Sequence, residues 1–370
     1  MRTSDEFNLQ TQPRETHRIF NRWDLIPDGW YIALESSRLK KEQVRSVQIA
    51  GQHLVVFRGK SGLVSALDGF CPHMGVDLGI GKVEGEQLRC FFHHWKFDRN
   101  GDCTAIPCQE KIPSRAKLKH YRVREAYGFI WVHPNEKAID GVLEVPELVG
   151  EKSSWLHGKS YHRSCHHHIT MINGIDPQHL STVHGIHMDM DLEIKEPSSN
   201  LFQVTLRGKI PSKRLIEKLT KFFVGDNYCY SMTYADGCVA SLSVLKEVAL
   251  FGKFKILPEL HMIFGYQTVS PGKTLVQPIY LTRKRKGFWG KLYGRFLLTF
   301  TKMAFSVLQG EDGEVYENIR FQTNNLLKMD RPISRYINYI NQLRPSAWSQ
   351  PAEVMKKGPA VSEITSEQKL

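Results

Sequence analysis

The stretch from Cys71 to Trp95 constrains this chain more than any other. It holds Cys71-x-His73 and, after sixteen intervening residues, Cys90-x-x-His93. Two short clips of Cys and His are a metal signature, and the surrounding chain must fold so that they meet. Tetrahedral zinc accepts both residue types. In zinc fingers, however, the cysteines usually share one clip and the histidines the other. Here each clip supplies one of each. That mixture suits a [2Fe–2S] cluster with two thiolates on one iron and two neutral imidazoles on the other, which raises the reduction potential. Zinc is the competing reading.

The remaining composition fits a folded redox protein. The 370 residues allow two domains or more, and 41% hydrophobic content excludes wholesale disorder. The seven cysteines (Cys71, Cys90, Cys103, Cys108, Cys165, Cys229 and Cys238) are odd in number and scattered. They make a poor disulfide framework and suit a reducing compartment with thiolates available for a cluster. The first residues, MRTSDEFNLQTQPRETHR, carry no apolar signal region, and no run reaches the roughly 18 apolar residues of a spanning helix. The expectation is a cytoplasmic protein, with contact to a membrane surface left open. A net charge of +12 could serve nucleic acid, but no nucleic-acid motif accompanies it. An acidic electron donor or an anionic membrane accounts for it as well.

In chain order, residues 1–27 read as a polar arm. Val44 to Phe70 reads as three short strands with turns at Gly51 and Gly59–Gly62. Strands resume around Phe129–Val132, so residues 28–136 form an all-β unit with the clips on its loops. Cys103 and Cys108 read as structural thiols, because four ligands are already in place. Residues 137–150 look like a linker. His162 and the adjacent His166, His167 and His168 read as strand residues on alternate faces, unable to converge on one ion. Residues 201–280 read as antiparallel sheet. A long helix is expected from about Phe288 to about Asn324, with Leu292, Phe296, Phe300, Met303 and Val307 spaced by three and four. Residues 151–345 thus form a second, α+β unit, and 346–370 a tail.

A second constellation is Asn173-x-x-Asp176-x-x-His179-x-x-x-x-His184. Asp176 and His179 are one helical turn apart. Pro177 suits a first helical position with Asp176 capping it. Two histidines and one carboxylate with open positions form the facial triad of non-haem Fe(II) oxygenases.

Together the clips and this second block resemble the ring-hydroxylating, Rieske-type non-haem iron oxygenases, over most of residues 28–330. The run His93-His94-Trp95 leans toward the aminopyrrolnitrin-oxygenase-like and sterol-oxygenating members. Phe91 and His94 depart from that family's commonest Pro and Gly, and His94 is not read as a ligand. The resemblance implies a Rieske domain followed by a helix-grip-like catalytic domain, an antiparallel sheet around a long helix. It implies that Cys71, His73, Cys90 and His93 hold the [2Fe–2S] cluster, and that His179 and His184 ligate a mononuclear Fe(II). The third ligand is a carboxylate on the long helix, best matched by Asp312, with Glu311 or Glu314 as alternatives. Asp176 is catalytic, bridging an iron-ligating His to His93 of a neighbouring subunit, which implies a ring of usually three. O2 is the co-substrate, and electrons arrive from NAD(P)H through a separate reductase or ferredoxin. Gly79-x-Gly81-x-x-x-Gly85 misses the dinucleotide spacing, so no nicotinamide site is expected here. The substrate implied is a largely apolar ring compound that is monooxygenated, hydroxylated or N-oxygenated. The alternative is an electron-transfer iron–sulfur protein whose second domain binds a lipid or a partner.

Two basic clusters stand apart. Arg115, Lys117, Lys119, Arg122 and Arg124 suit the docking of an acidic ferredoxin or reductase. Residues 283–302 contain seven Lys or Arg and no acid, interleaved with Phe288, Trp289, Tyr293 and Phe296. A solvated helix entrance, a lipid surface or a redox dock would each produce that pattern.

Overall fold

A computed structural model describes residues 19–108, 110–138, 140–183, 189–209, 227–244 and 260–349. The first half begins with β1 (Tyr31–Glu35), β2 (Gln43–Ile49), β3 (Gln52–Arg58) and β4 (Val64–Asp68). Then come β5 (Lys82–Glu84), β6 (Gln87–Arg89), β7 (Lys96–Phe97), β8 (Cys103–Ala105), β9 (His120–Ala126) and β10 (Phe129–His133). Six of them form an antiparallel sheet in the order β1-β10-β9-β4-β3-β2, and β5-β6-β7-β8 form a smaller one. The turn before β3 uses Gly51 at φ 79° and the turn before β4 uses Gly62 at φ 96°. Only glycine takes those values without a steric penalty, which fixes the register of both hairpins.

The second half is built on β11 (Ser153–His157), β12 (Tyr161–Arg163), α1 (His167–Asn173), α2 (Pro177–Thr182), β13 (Asp189–Ser198), β14 (Leu201–Lys209), β15 (Asn227–Ala235), β16 (Val239–Val244), β17 (Leu260–Ser270) and β18 (Lys273–Arg283). Its sheet runs β11-β18-β17-β16-β15-β14-β13, antiparallel throughout, with β12 also paired to β18. Two helices follow, α3 (Gly287–Asn318) and α4 (Arg331–Gln342). The long helix ends earlier than its sequence pattern suggests. The architecture is the expected α+β arrangement, a Rieske-like β unit joined to an antiparallel sheet packed by a long helix.

Alternation along the strands explains how the large sheet is covered on both faces. Met262, Phe264, Tyr266 and Tyr280 point into a core shared with Ile169, Ile172, Leu298, Tyr336 and Ile340 of the helices. Ile263, Ile279 and Leu281, one position out of phase, pack against Trp30, Tyr31 and Trp131 of the first unit. The two units therefore share a continuous apolar seam. A third core of Val55, Phe57, Leu67, Leu78, Val83, Leu88 and Phe97 lies beneath the clips and includes Cys71 and Cys90.

Three connecting segments are more firmly held than their composition suggests. In residues 137–150, Val142, Leu143, Val145 and Leu148 are buried in the seam. Glu147 accepts hydrogen bonds from Ser231 (2.9 Å) and Ser243 (2.7 Å) on the large sheet. At the arm, Ile19 and Phe20 are buried, and both backbone N–H groups donate to Asn341 Oδ1. At the start of the tail, Trp348 is buried and Ser346 N donates to Ile26 O at 2.7 Å.

Candidate metal centres and substrate cavity

The first clip leaves β4 and the second is the hairpin loop between β6 and β7. Backbone bonds close both loops: Cys71 N donates to Val76 O (2.9 Å), Gly75 N to Cys71 O (2.9 Å), and Cys90 N to Trp95 O (2.8 Å). The first loop turns at Gly75 with φ 73°, and the second at His94 with φ 56°. His94 thus occupies the left-handed position that glycine fills in the first loop, and its side chain is exposed.

Cys71 and Cys90 are buried while His73 and His93 face outward. The two imidazoles present Nδ1 to Nδ1 at 3.1 Å, and His73 lies flat on Trp95 with ring centroids 4.7 Å apart. Two nitrogens on one tetrahedral ion with bonds of about 2.1 Å would stand about 3.4 Å apart. Burial pushes the Cys71 thiol up to about 11, and neighbouring Cys90 adds to that. A thiolate pair is stable there only with a cation to hold it. The donor set, two inner sulfurs and two outer imidazoles, fits a [2Fe–2S] cluster. Cys103 packs against the same core, as a structural thiol would; Cys108 is exposed and has no such role.

The second block folds as two short helices. Asp176 caps α2, accepting from Gln178 N at 2.8 Å, with Pro177 at the first helical position. His179 Nδ1 donates to Asp176 O at 2.7 Å, which makes Nε2 the lone-pair nitrogen of the ring. The position of α1 is set by Tyr234 Oη donating to Met171 O (2.7 Å) and Tyr230 Oη donating to Gly174 O (3.2 Å).

His179 and Asp312 line one cavity of about 370 Å³ between the large sheet and α3. Its walls are mainly apolar and include Leu242, Met262, Phe264, Phe300 and Phe305. Glu311 and Glu314 are exposed and do not line it. His184 lies outside the described residues. Sequence reading missed the cavity's polar end. Arg163 sits between the rings of Tyr161 (4.8 Å) and Tyr316 (5.0 Å) and donates from Nη2 to Gln309 O at 3.1 Å. Gln309 and Tyr316 fall three and four residues from Asp312, and that spacing was the available signal.

The histidine run differs from its expected form. His162 is exposed on β12, but His166 is the N-cap of α1, and His167 and His168 begin the helix. The N-cap ring folds back so that His166 Nδ1 accepts His168 N–H at 3.2 Å, and the side chains converge instead of alternating. Their rings lie 4.2 to 4.4 Å apart, and one ligating nitrogen from each falls within 4.8 Å of the others. No cysteine or carboxylate joins them within that distance among the described residues. Burial, then the neighbouring imidazoles, hold His167 and His168 well below the usual histidine range; burial puts His166 at about 3. The trio is neutral and buried, and neither ring nitrogen of His167 makes a well-formed hydrogen bond, the Gly237 backbone being its one polar neighbour that weakly favours the charged form.

Fold and clips define a Rieske [2Fe–2S] protein carrying a second α+β unit, and the comparisons agree. The family model for the Rieske [2Fe–2S] domain matches residues 29–121. Cholesterol 7-desaturase of Caenorhabditis elegans is 31% identical over 354 residues, covering 88% of this chain and 78% of that protein. Cholesterol 7-desaturase nvd 1 of Ciona intestinalis is 38% identical over 167 residues, 44% of this chain and 36% of that protein. The aligned part is 36 to 38% of the length of the first three curated relatives. Dicamba monooxygenase bound to dicamba shares the fold, with TM-score 0.61 at 20% identity over 85% of this chain and 97% of that one. The chain belongs to the Rieske oxygenases, a family of oxidoreductases, and cholesterol 7-desaturases are among its relatives.

Proposed function

We propose that this chain oxygenates a largely apolar ring compound of sterol type, using O2 and electrons passed from NAD(P)H by a separate reductase or ferredoxin. The observation that carries this reading is the cavity that sets His179 and Asp312 among aromatic and aliphatic walls. Its volume suits a compact organic ligand. The relatives named as cholesterol 7-desaturases add the substrate class.

In this reading Cys71, His73, Cys90 and His93 hold the [2Fe–2S] cluster, and His179, His184 and Asp312 hold Fe(II). The bound metals supply single-electron transfer and O2 activation. The residues do the rest. The Asp176 carbonyl fixes the ring of His179 and keeps Nε2 directed away from the backbone. The apolar walls exclude water and orient a rigid ring system, while Arg163, held between two tyrosines, offers a donor to a substrate oxygen. The exposed His93 is rimmed by Met74, Phe91 and Phe92, each more than half exposed. That apolar rim supports docking on the Asp176 side of a neighbouring copy, in a head-to-tail ring of three. Arg115, Lys117, Lys119 and Arg124 are exposed and would receive an acidic donor.

The test is iron and sulfide content with EPR of the dithionite-reduced protein, for wild type and His179→Ala, followed by turnover of sterols with O2 and a surrogate reductase. The expected result is a Rieske-type signal in both proteins and loss of about one iron per chain in the variant. A Rieske signal with no iron lost would leave the electron-transfer alternative standing. Zinc in place of iron and sulfide would overturn the reading altogether.

A further inference from the structure

The stripe that announces α3 in the sequence is not its buried face. Phe288 is 74% exposed, Trp289 77%, Leu292 50%, Phe296 61% and Met303 64%. The face turned to the sheet is formed instead by Leu297, Leu298 and Thr301, all nearly inaccessible. At about 100° per residue the exposed apolar side chains from Phe288 to Met303, with Tyr293 and Phe300, sweep an arc of roughly 140°. Lys291, Arg295 and Lys302 follow along one edge of that arc.

Beside this edge lies a cleft of about 330 Å³ between α3 and β11. Lys284, Arg285, Lys291 and Arg295 line it with Trp155 and Thr299, and no carboxylate does. Arg285 is braced over the Tyr293 ring at 4.9 Å. A cationic cleft next to an exposed aromatic arc has the chemistry of a bilayer interface: phosphates for the cations, acyl chains for the rings. No described helix is long and apolar enough to cross a membrane, so α3 would lie on the surface.

We infer that the first half of α3 and this cleft form a docking site for an anionic phospholipid bilayer. The arc also leads inward. Phe300 belongs both to the exposed arc and to the wall of the substrate cavity, and Asp312 follows about 18 Å further along the helix. A ring lipid leaving the bilayer along this arc reaches the cavity without crossing bulk water. That delivery step rests on the proposed substrate; the docking itself does not.

The experiment is vesicle flotation with the full-length, cluster-loaded protein, using phosphatidylcholine alone or mixed with phosphatidylglycerol. Wild type is expected to float with the anionic vesicles and to be released by salt. Each cation near such a surface contributes roughly fivefold in partitioning, so Lys291→Glu with Arg295→Glu should weaken binding by about 30-fold or more. Trp289→Ser with Phe296→Ser should weaken it as well, at any salt. Arg115→Glu with Lys119→Glu, on the first unit, should leave it unchanged. An intact Rieske EPR signal and an unchanged melting temperature certify that each variant is folded. Equal binding to neutral vesicles, or binding unaltered by both helix pairs, overturns the inference. So does a change in oligomeric mass without a change in vesicle binding, because the arc would then be a contact between copies. Flotation as expected with no turnover of any sterol leaves docking established and removes only the substrate reading.

Discussion

At the scale of single residues, the least expected feature is the buried trio His166, His167 and His168. Each is held below its ordinary range, chiefly by burial. An unfolded histidine takes up a proton near pH 6.5, and these do so only at much lower pH in the folded protein. Their contribution to stability is therefore full above about pH 6.5 and is lost as pH falls toward about 3, where His166 titrates. The loss is about 1.4 kcal/mol per pH unit for each histidine. His167 is the one to remove, since its nitrogens make no well-formed hydrogen bond, with only the Gly237 backbone near enough to interact, and its ring packs on its neighbours and Tyr266. His167→Leu should match or exceed wild type at neutral pH, because a poorly satisfied buried polar group is replaced by an apolar one. Its unfolding free energy from urea titrations should also fall less steeply with acidification, by about 1.4 kcal/mol per unit. Parallel pH curves for the two proteins would show that His167 titrates normally in the fold.

At the scale of elements, α3 shows what the sequence could and could not reveal. Spacings of three and four marked the helix, but it carries two apolar stripes. The exposed stripe has the larger side chains. The buried one mixes Leu297 and Leu298 with Gly290, Gly294 and Thr301, and small residues that permit close packing look weak in a periodicity count. The contrast is measurable. Leu298→Ala removes a core side chain and should cost about 2–5 kcal/mol, whereas Phe296→Ser should change stability by no more than about 0.5 kcal/mol. Similar drops in melting temperature for both would mean that the helix is rolled the other way. Elements governed by local rules were more legible: the Gly51 and Gly62 hairpins, the cap at Asp176–Pro177, and the loops of the clips. The convergence of His166 to His168 was not, because it depends on where a helix starts. The burial of Val142, Leu143, Val145 and Leu148 and the insertion of Arg163 between Tyr161 and Tyr316 depend on partners far away in sequence. For the candidate site this means that the placement of His179 and Asp312 on one cavity follows the spacings in the chain, while the contact of Arg163 with its two tyrosines does not.

At the scale of the whole molecule, the seam between the two units holds a carboxylate that sets a second limit on stability. Asp236 lies in the β15–β16 turn, pressed so closely on the first unit that a Cβ at Gly29 would stand 2.5 Å from its own. Burial raises it to about 7, with Asp140 and Asp28 adding to the rise and a hydrogen bond from Asn200 opposing it. Tyr31, Cys238 and Tyr339 also face it, and none brings a positive charge. In the unfolded chain Asp236 loses its proton near pH 3.9, and in the folded one only near 7. Its contribution is therefore complete below the unfolded value and is lost as pH rises through the folded one, by about 1.4 kcal/mol per unit and about 4 kcal/mol in all. This opposes the histidine trio between about pH 4 and 6.5, where three groups lose stability on acidification and one gains it. Asp236→Asn separates the two effects. Asn keeps the shape, tolerates the positive φ of 53° and cannot ionise. The variant should be more stable than wild type at pH 8, by up to about 4 kcal/mol, and little different near pH 4. Its decline from neutral to acid should be steeper, because the opposing group is gone. Denaturation midpoints across that range test this directly. A variant that tracks wild type at every pH would show that water reaches Asp236 and that the seam between the two units is open.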